Sequence, residues 1–142
     1  NYTTADLYSP LADVKADICE LPFEDNEFDL ILCNHVLEHI PEDEKAMSEL
    51  YRVLKKGGTL IAQVPLEAQR IKTFEDKSIT TPKERTKAFG QYDHVRIYGM
   101  DFYARLENVG FQTKAFDLIS KLKPAEINRF GLQKESLPIA EK

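Results

Sequence analysis

The chain is short of several things. It has six glycines in 142 residues, and none stands in a G-x-G spacing behind a strand-like run. A glycine-rich dinucleotide turn is therefore absent from it. No apolar run approaches the roughly 18 residues of a membrane span, so no membrane contact is expected. Residue 1 is Asn, and no charged-then-apolar signal segment follows it. The expectation is a processed or excised piece of a cytoplasmic protein. Two cysteines, Cys19 and Cys33, are too few for a disulfide framework and lack metal-ligand spacing. Both read as buried free thiols. There is no internal repeat and no low-complexity tract, and 142 residues suit one domain with a real core.

The residues present are those of an ordinary globular protein, 42% hydrophobic and 30% charged. A net charge of −5 argues against a phosphate-tracking nucleic-acid binder. The charge is unevenly spread. Residues 1–50 hold thirteen Asp and Glu against two Lys, a balance of −11, and the remainder balances at +6. Basic residues collect at Arg70, Lys72, Lys77, Lys83, Arg85 and Lys87, interrupted by Glu75, Asp76 and Glu84. Such a segment is either a solvated face or a surface for an anionic substrate.

Strands and helices alternate along the chain. "NYTTADL" and "VKADI" read as short strands, each running into an aspartate, Asp6 and Asp17. "FDLILCN" is a nearly unbroken apolar run, as in a parallel strand buried on both faces. "IPEDEKAMSELYRVLKKGG" predicts a helix, with Pro41 and three acids in its first turn. Met47, Leu50, Tyr51 and Leu54 form its apolar stripe, and Gly57 is its expected left-handed stop. "GTLIAQVP" is the next strand. Residues 66–99 are polar and irregular, with a short helix near 82–89, and are too long for a passive connection. Asp101 is placed to cap a helix "FYARLENV" that stops at Gly110. "FQTKAFDLI" is a strand and the tail "LQKESLPIAEK" a weaker one. The pattern predicts a mostly parallel α/β sheet, with Asp6, Asp17 and Asn34-His35 at the strand ends where such sheets hold ligands.

One stretch, "CNHVLEHIPE", contains His-x-x-Glu-His, the inverted zinc-protease signature. Zinc bound by His35 and His39 would need helix from Asn34 onward and a third ligand nearby. Pro41 places the firm helix after the histidines, and the one other histidine is the distant His94. No metal site is expected.

The segment "ADICELPFEDNEFDLILCNHVLEHIPEDEKAMSELYRVLKKGGTLIAQVP" resembles the middle of class I S-adenosylmethionine-dependent methyltransferases of the methyltransferase type 11 family. The likeness is in the order of its parts: an acid before "LPF", then "FDLILCNHVLEHI", a helix ending "RVLKKGG", and a strand. A looser likeness extends through "DHVRIYGMDFYARLENVGF". The resemblance implies a Rossmann-like sheet, mostly parallel with an antiparallel C-terminal strand, in the order 3-2-1-4-5-7-6. It implies S-adenosyl-L-methionine as cofactor, with Asp6 and the adjoining Leu7 at the ribose and Asp17 and Ile18 at the adenine. Asn34 and His35 would flank the methionine portion.

The family's first strand and glycine-rich turn have no counterpart in these 142 residues, which read as a single partial methyltransferase domain. Without that central strand the fragment could instead exchange elements with another copy. The activity implied is methyl transfer to an unidentified small-molecule acceptor by in-line displacement. His94, oriented by Asp93, is the first candidate for a general base and His35 the second. Arg96 and Tyr98 are candidates for the acceptor pocket, and residues 66–99 for a lid over it. The competing expectations are a non-catalytic methyltransferase-like binding or assembly module, and a Rossmann dehydrogenase.

Overall fold

The computed structural model describes residues 2–132 and 136–142. Its centre is a four-stranded sheet. The first of these strands, β3 (Phe28–Leu32), runs parallel to β4 (Leu54–Ile61). Next comes β8 (Ser136–Glu141), antiparallel to β4, and then β7 (Gln112–Asp117), antiparallel to β8. The spatial order β3-β4-β8-β7 places a reversed last strand between two others, as the resemblance implied. A separate parallel pair is made by β1 (Ala5–Asp6) and β2 (Val14–Lys15). No ladder joins β1 to β3 among the described residues. The expected tail strand falls partly on residues 133–135, outside the described residues, and its remainder is β8.

Register assigns the two faces of the sheet. Ile31, Leu60, Ala140 and Thr113 stand side by side across the four strands, and their row faces the helices. Leu60 and Ala140 have no exposed surface there. They pack with Met47 and Leu50 of α1 (Asp43–Val53) and with Phe102 and Leu106 of α3 (Phe102–Asn108). Burying each such side chain contributes about 1.5–3 kcal/mol. The neighbouring row, Leu32, Ile61, Ile139 and Lys114, looks the other way. On that side Leu30 and Leu32 remain 54% and 55% exposed.

Helix α1 ends earlier than its sequence suggested. Leu54 already has an extended backbone, and β4 begins there. Gly57 does adopt a positive φ of 77°, but inside the strand, where the β3–β4 register slips. A step of two residues along β3, from Phe28 to Leu30, matches a step of five along β4, from Leu54 to Thr59, so "KKGG" is an irregular stretch of strand and not a helix cap. Its closing contact is the Gly57 N–H donating to the Lys142 carbonyl at 2.7 Å.

Residues 66–99 form a strap that reaches the start of α1 through Arg96 and Tyr98. Its ends are pinned by a short antiparallel ladder between β5 (Phe74–Glu75) and β6 (Arg96–Ile97). Between them α2 (Pro82–Phe89) starts in a full capping box, with Thr81 and Glu84 satisfying each other's backbone N–H. Its last residue, Phe89, is buried and tilts against Phe74. Gly99 closes the strap where a Cβ would lie 2.7 Å from the Lys72 carbonyl carbon. Asp101 does not cap α3; its Oδ1 accepts from the Thr73 N–H and hydroxyl, both at 2.7 Å, tying α3 to the strap. After β7, α4 (Pro124–Phe130) runs to Gly131.

Candidate functional site

The carboxyl ends of β1, β2 and β3 carry the residues that the sequence singled out. Asp6 closes β1 and is exposed. Its Oδ1 accepts from the N–H groups of Tyr8 at 2.7 Å and Ser9 at 2.6 Å. These bonds, Ser9's foremost, hold its pKa below the ordinary carboxylate value. Oδ2 has no donor among the described residues. Leu7, beside it, is 37% exposed. Asp17 lies two residues beyond β2, and its Oδ1 accepts from the Cys19 N–H at 2.8 Å. Ile18 is half-buried and packs against the core.

Beyond β3 the ladder continues through Cys33 N–H to the Ile61 carbonyl at 2.9 Å and His35 N–H to the Gln63 carbonyl at 2.8 Å. His35 then takes a φ of +54°, a conformation uncommon for a residue with a Cβ. The chain turns there into a single 3-10 turn, Leu37–His39, which buries Leu37 and Glu38. Asn34 is exposed, and the His35 ring is 56% exposed with Nδ1 3.3 Å from Glu38 Oε1. α1 begins only at Asp43, after both histidines of the motif. The Cys33 thiol lies under this turn. Burial, with the Glu38 carboxylate adding to it, pushes its pKa up to about 12. Cys19 is raised as well, first by burial and then by Asp17.

Arg96 and Tyr98 are 2% and 0% exposed. Arg96 still forms part of the wall of a cavity between the strap and the start of α1, and Tyr98 does not line it. The Arg96 guanidinium donates to the carbonyls of Leu37 at 3.1 Å, Pro41 at 3.0 Å and Ile40, and to Glu75 Oε2 at 3.0 Å. The Tyr98 hydroxyl donates to Asp43 Oδ2 at 2.8 Å. Burial, then the charge of Asp43, drives the phenol's pKa upward. Arg105 completes the network with bonds of 3.0 and 2.9 Å to the two oxygens of Asp43. Asp43 and Arg105 were not expected to take part. An acid at a helix start read as a dipole partner, and only the fold brings two arginines to it.

His94 sits half-buried against His39, with ring centroids 4.7 Å apart and planes at 79°. Asp93 faces His39, not its sequence neighbour, with Oδ2 3.4 Å from Nδ1. Val95 N–H donates to the Glu38 carbonyl at 3.0 Å, which holds this part of the strap to the 3-10 turn. His35 thus meets Glu38 at Oε1, and His94 belongs to a group with Glu38 and His39. The cavity between the strap and the start of α1 measures about 290 Å³ and is lined by Pro41, Glu42, Glu75, Lys77, Arg85 and Arg96 among others.

Asp6 ends β1 and Asp17 follows β2, its parallel partner, while Asn34 follows β3 and β8 runs reversed between β4 and β7. Residues 3–62 match the sequence model of the family described as "Methyltransferase domain". An uncharacterized protein of Methanocaldococcus jannaschii is 53% identical over 49 residues, 34% of this chain and 21% of that protein. The ubiquinone/menaquinone biosynthesis C-methyltransferase UbiE of Brucella canis is 46% identical over 55 residues, 39% of this chain and 20% of the enzyme. The chain thus matches only about a fifth of the length of these curated relatives.

Among solved structures, an S-adenosylmethionine-dependent methyltransferase from Mesorhizobium loti superposes with a TM-score of 0.59 at 14% identity. The match covers 97% of this chain and 78% of that one. An N-methyltransferase of Haemonchus contortus in complex with phosphomonomethylethanolamine and S-adenosylhomocysteine gives 0.52 at 16% identity, over 91% of this chain and 36% of that one. Residues 3–62 thus carry the sequence pattern of a methyltransferase domain, and the chain shares the fold of solved S-adenosylmethionine-dependent methyltransferases.

Proposed function

We propose that the protein carrying this chain transfers a methyl group from S-adenosylmethionine to a small-molecule acceptor. The observation that supports this most is the free Oδ2 of Asp6 at the end of β1, with Asp17 and Asn34-His35 at the next strand ends. The adenosine half of the cofactor fits these groups. Asp6, with Leu7 beside it, accepts from the ribose hydroxyls, and Asp17 with the Ile18 N–H reads the adenine edge. Asn34 and His35 stand on the side of the methionine portion. The methionine half has less here, because no G-x-G turn exists in the chain to cradle it.

When bound, the cofactor supplies an electrophilic methyl group on a sulfonium. The chain's own residues then orient and shield. The strap of residues 66–99 covers the acceptor side and excludes water, with Arg96 and Tyr98 fixing its position from below. Where the acceptor must lose a proton, His94 takes it, or His35.

A second reading has its own observation. Among the described residues β3 has one unpaired edge, and its Leu30 and Leu32 are more than half exposed. A methyltransferase-like module that binds cofactor or another chain without catalysis, or a fragment that pairs with a second copy, would present such a surface. Full-length protein incubated with methyl-labelled cofactor and fractionated small-molecule extract separates the two. Label in a low-mass product, lost in Asp17→Ala, supports the enzyme. Cofactor bound but unconsumed in every fraction supports the module.

A further inference from the structure

We propose that Glu38, His39 and His94 form a site for one zinc-class divalent cation, a site independent of the cofactor. Each of the three offers a ligand atom, and these atoms lie within 4.8 Å of one another. A second observation points to a cation there. Glu38 is 2% exposed, and its Oε2 is buried with no hydrogen-bond partner. A buried carboxylate oxygen left unpaired is costly, and a cation or a proton is what relieves it.

The surroundings have the further parts such a site needs. Asp93 Oδ2 stands 3.4 Å from His39 Nδ1, a carboxylate placed to orient the ring. Two imidazoles and one carboxylate make a three-ligand set with a position left open. That position is reachable, because His39 and His94 are only half-buried. Zinc bonds of about 2.0–2.1 Å place ligand atoms roughly 3.4 Å apart. The three groups must therefore draw together by up to about 1.4 Å, which turns of the two half-buried rings supply.

This site is not the His-x-x-Glu-His motif read as a metal grip. His35 is not one of the three; it has a positive φ, and its Nδ1 stands 3.3 Å from Glu38 Oε1. The third ligand comes from the strap, held in place by the Val95 N–H on the Glu38 carbonyl. A cation here would fasten the strap to the turn after β3. With it bound, His94 is not free to take a proton, and His35 carries that role.

The test needs neither cofactor nor acceptor, so its outcome is separate from that of the methyl-transfer reading. Full-length protein stripped with a chelator is titrated with Zn²⁺ by calorimetry and with Co²⁺ by visible absorption. One equivalent of each is expected, with Co²⁺ bands of low-symmetry imidazole coordination. Asp93→Asn should weaken binding about 10–100-fold. His94→Ala and Glu38→Gln should abolish it, in proteins whose circular dichroism is unchanged. His35→Ala should leave the stoichiometry at one. Should Glu38→Gln unfold the chain, His94→Ala and Asp93→Asn decide alone. Failure of the stripped wild type to bind either ion at one equivalent overturns the site. So does binding that survives His94→Ala, or loss confined to His35→Ala.

Discussion

Arg96 Nη1 donates to the backbone carbonyl of Leu37 at 3.1 Å, joining positions 59 residues apart. That bond puts the strap on the turn that follows β3. The same guanidinium serves the carbonyls of Ile40 and Pro41, which an irregular loop could not satisfy by itself.

Replacing Arg96 with Met should therefore destabilise the fold severely, on the order of 3–5 kcal/mol, because the carbonyls of Leu37, Ile40 and Pro41 lose their shared charged donor and buried Asp43 loses one of its two arginines. Urea unfolding of the two proteins measures it. A loss under about 1 kcal/mol would show that the network does not hold the strap.

Cys33 should be unreactive in the folded protein. Its thiol is buried and ionises only at about 12. Disulfide-exchange reagents at mildly alkaline pH should label Cys19 first and Cys33 only as fast as the chain unfolds. Stability should also respond to pH. The unfolded thiol loses its proton near 9.0 and the folded one near about 12. Between those values the folded state binds the extra proton, so Cys33's contribution is complete below pH 9 and declines as pH rises to 12. Wild type and Cys33→Ala compared by denaturation across that range give the difference. A pH-independent difference contradicts the buried thiol.

The exposed lysines of α2, Lys83 and Lys87, belong to the basic strap. If the strap covers an anionic acceptor, the pair Lys83→Glu and Lys87→Glu should lower turnover at least tenfold, with cofactor affinity unchanged. Each is a surface change and should cost within about 0.5 kcal/mol of stability. Steady-state kinetics beside a cofactor titration separate the effects. Unchanged turnover would leave the strap a solvated excursion.

The long periodic segments were legible in the sequence. α1, α3, β3 and β7 each have an apolar pattern strong enough to outweigh local noise. Ladders of two residues have no period, so β5 and β6 were invisible. α4 was overlooked although Pro124 at its first turn and Gly131 after its last residue are ordinary start and stop signals. The strand-end residues were legible because position in a parallel sheet follows from the order of elements. The polar core was not. Arg96, Tyr98 and Asp43 have the residue types of a pocket wall, and only the tertiary path of the loop after β3 shows that its carbonyls claim the arginine. The meeting of Glu38 and His39 with His94 depends on the strap's route in the same way, which no local spacing encodes.

The central claim is that the strand-end aspartates hold S-adenosylmethionine. Calorimetric titration of full-length protein with the cofactor, for wild type, Asp6→Ala and Asp17→Ala, tests it most directly. Each substitution removes a hydrogen bond to a polar group of the adenosine and should weaken binding by on the order of 1–3 kcal/mol, with the fold intact. Affinity unchanged in both variants would contradict the placement of the cofactor at β1 and β2.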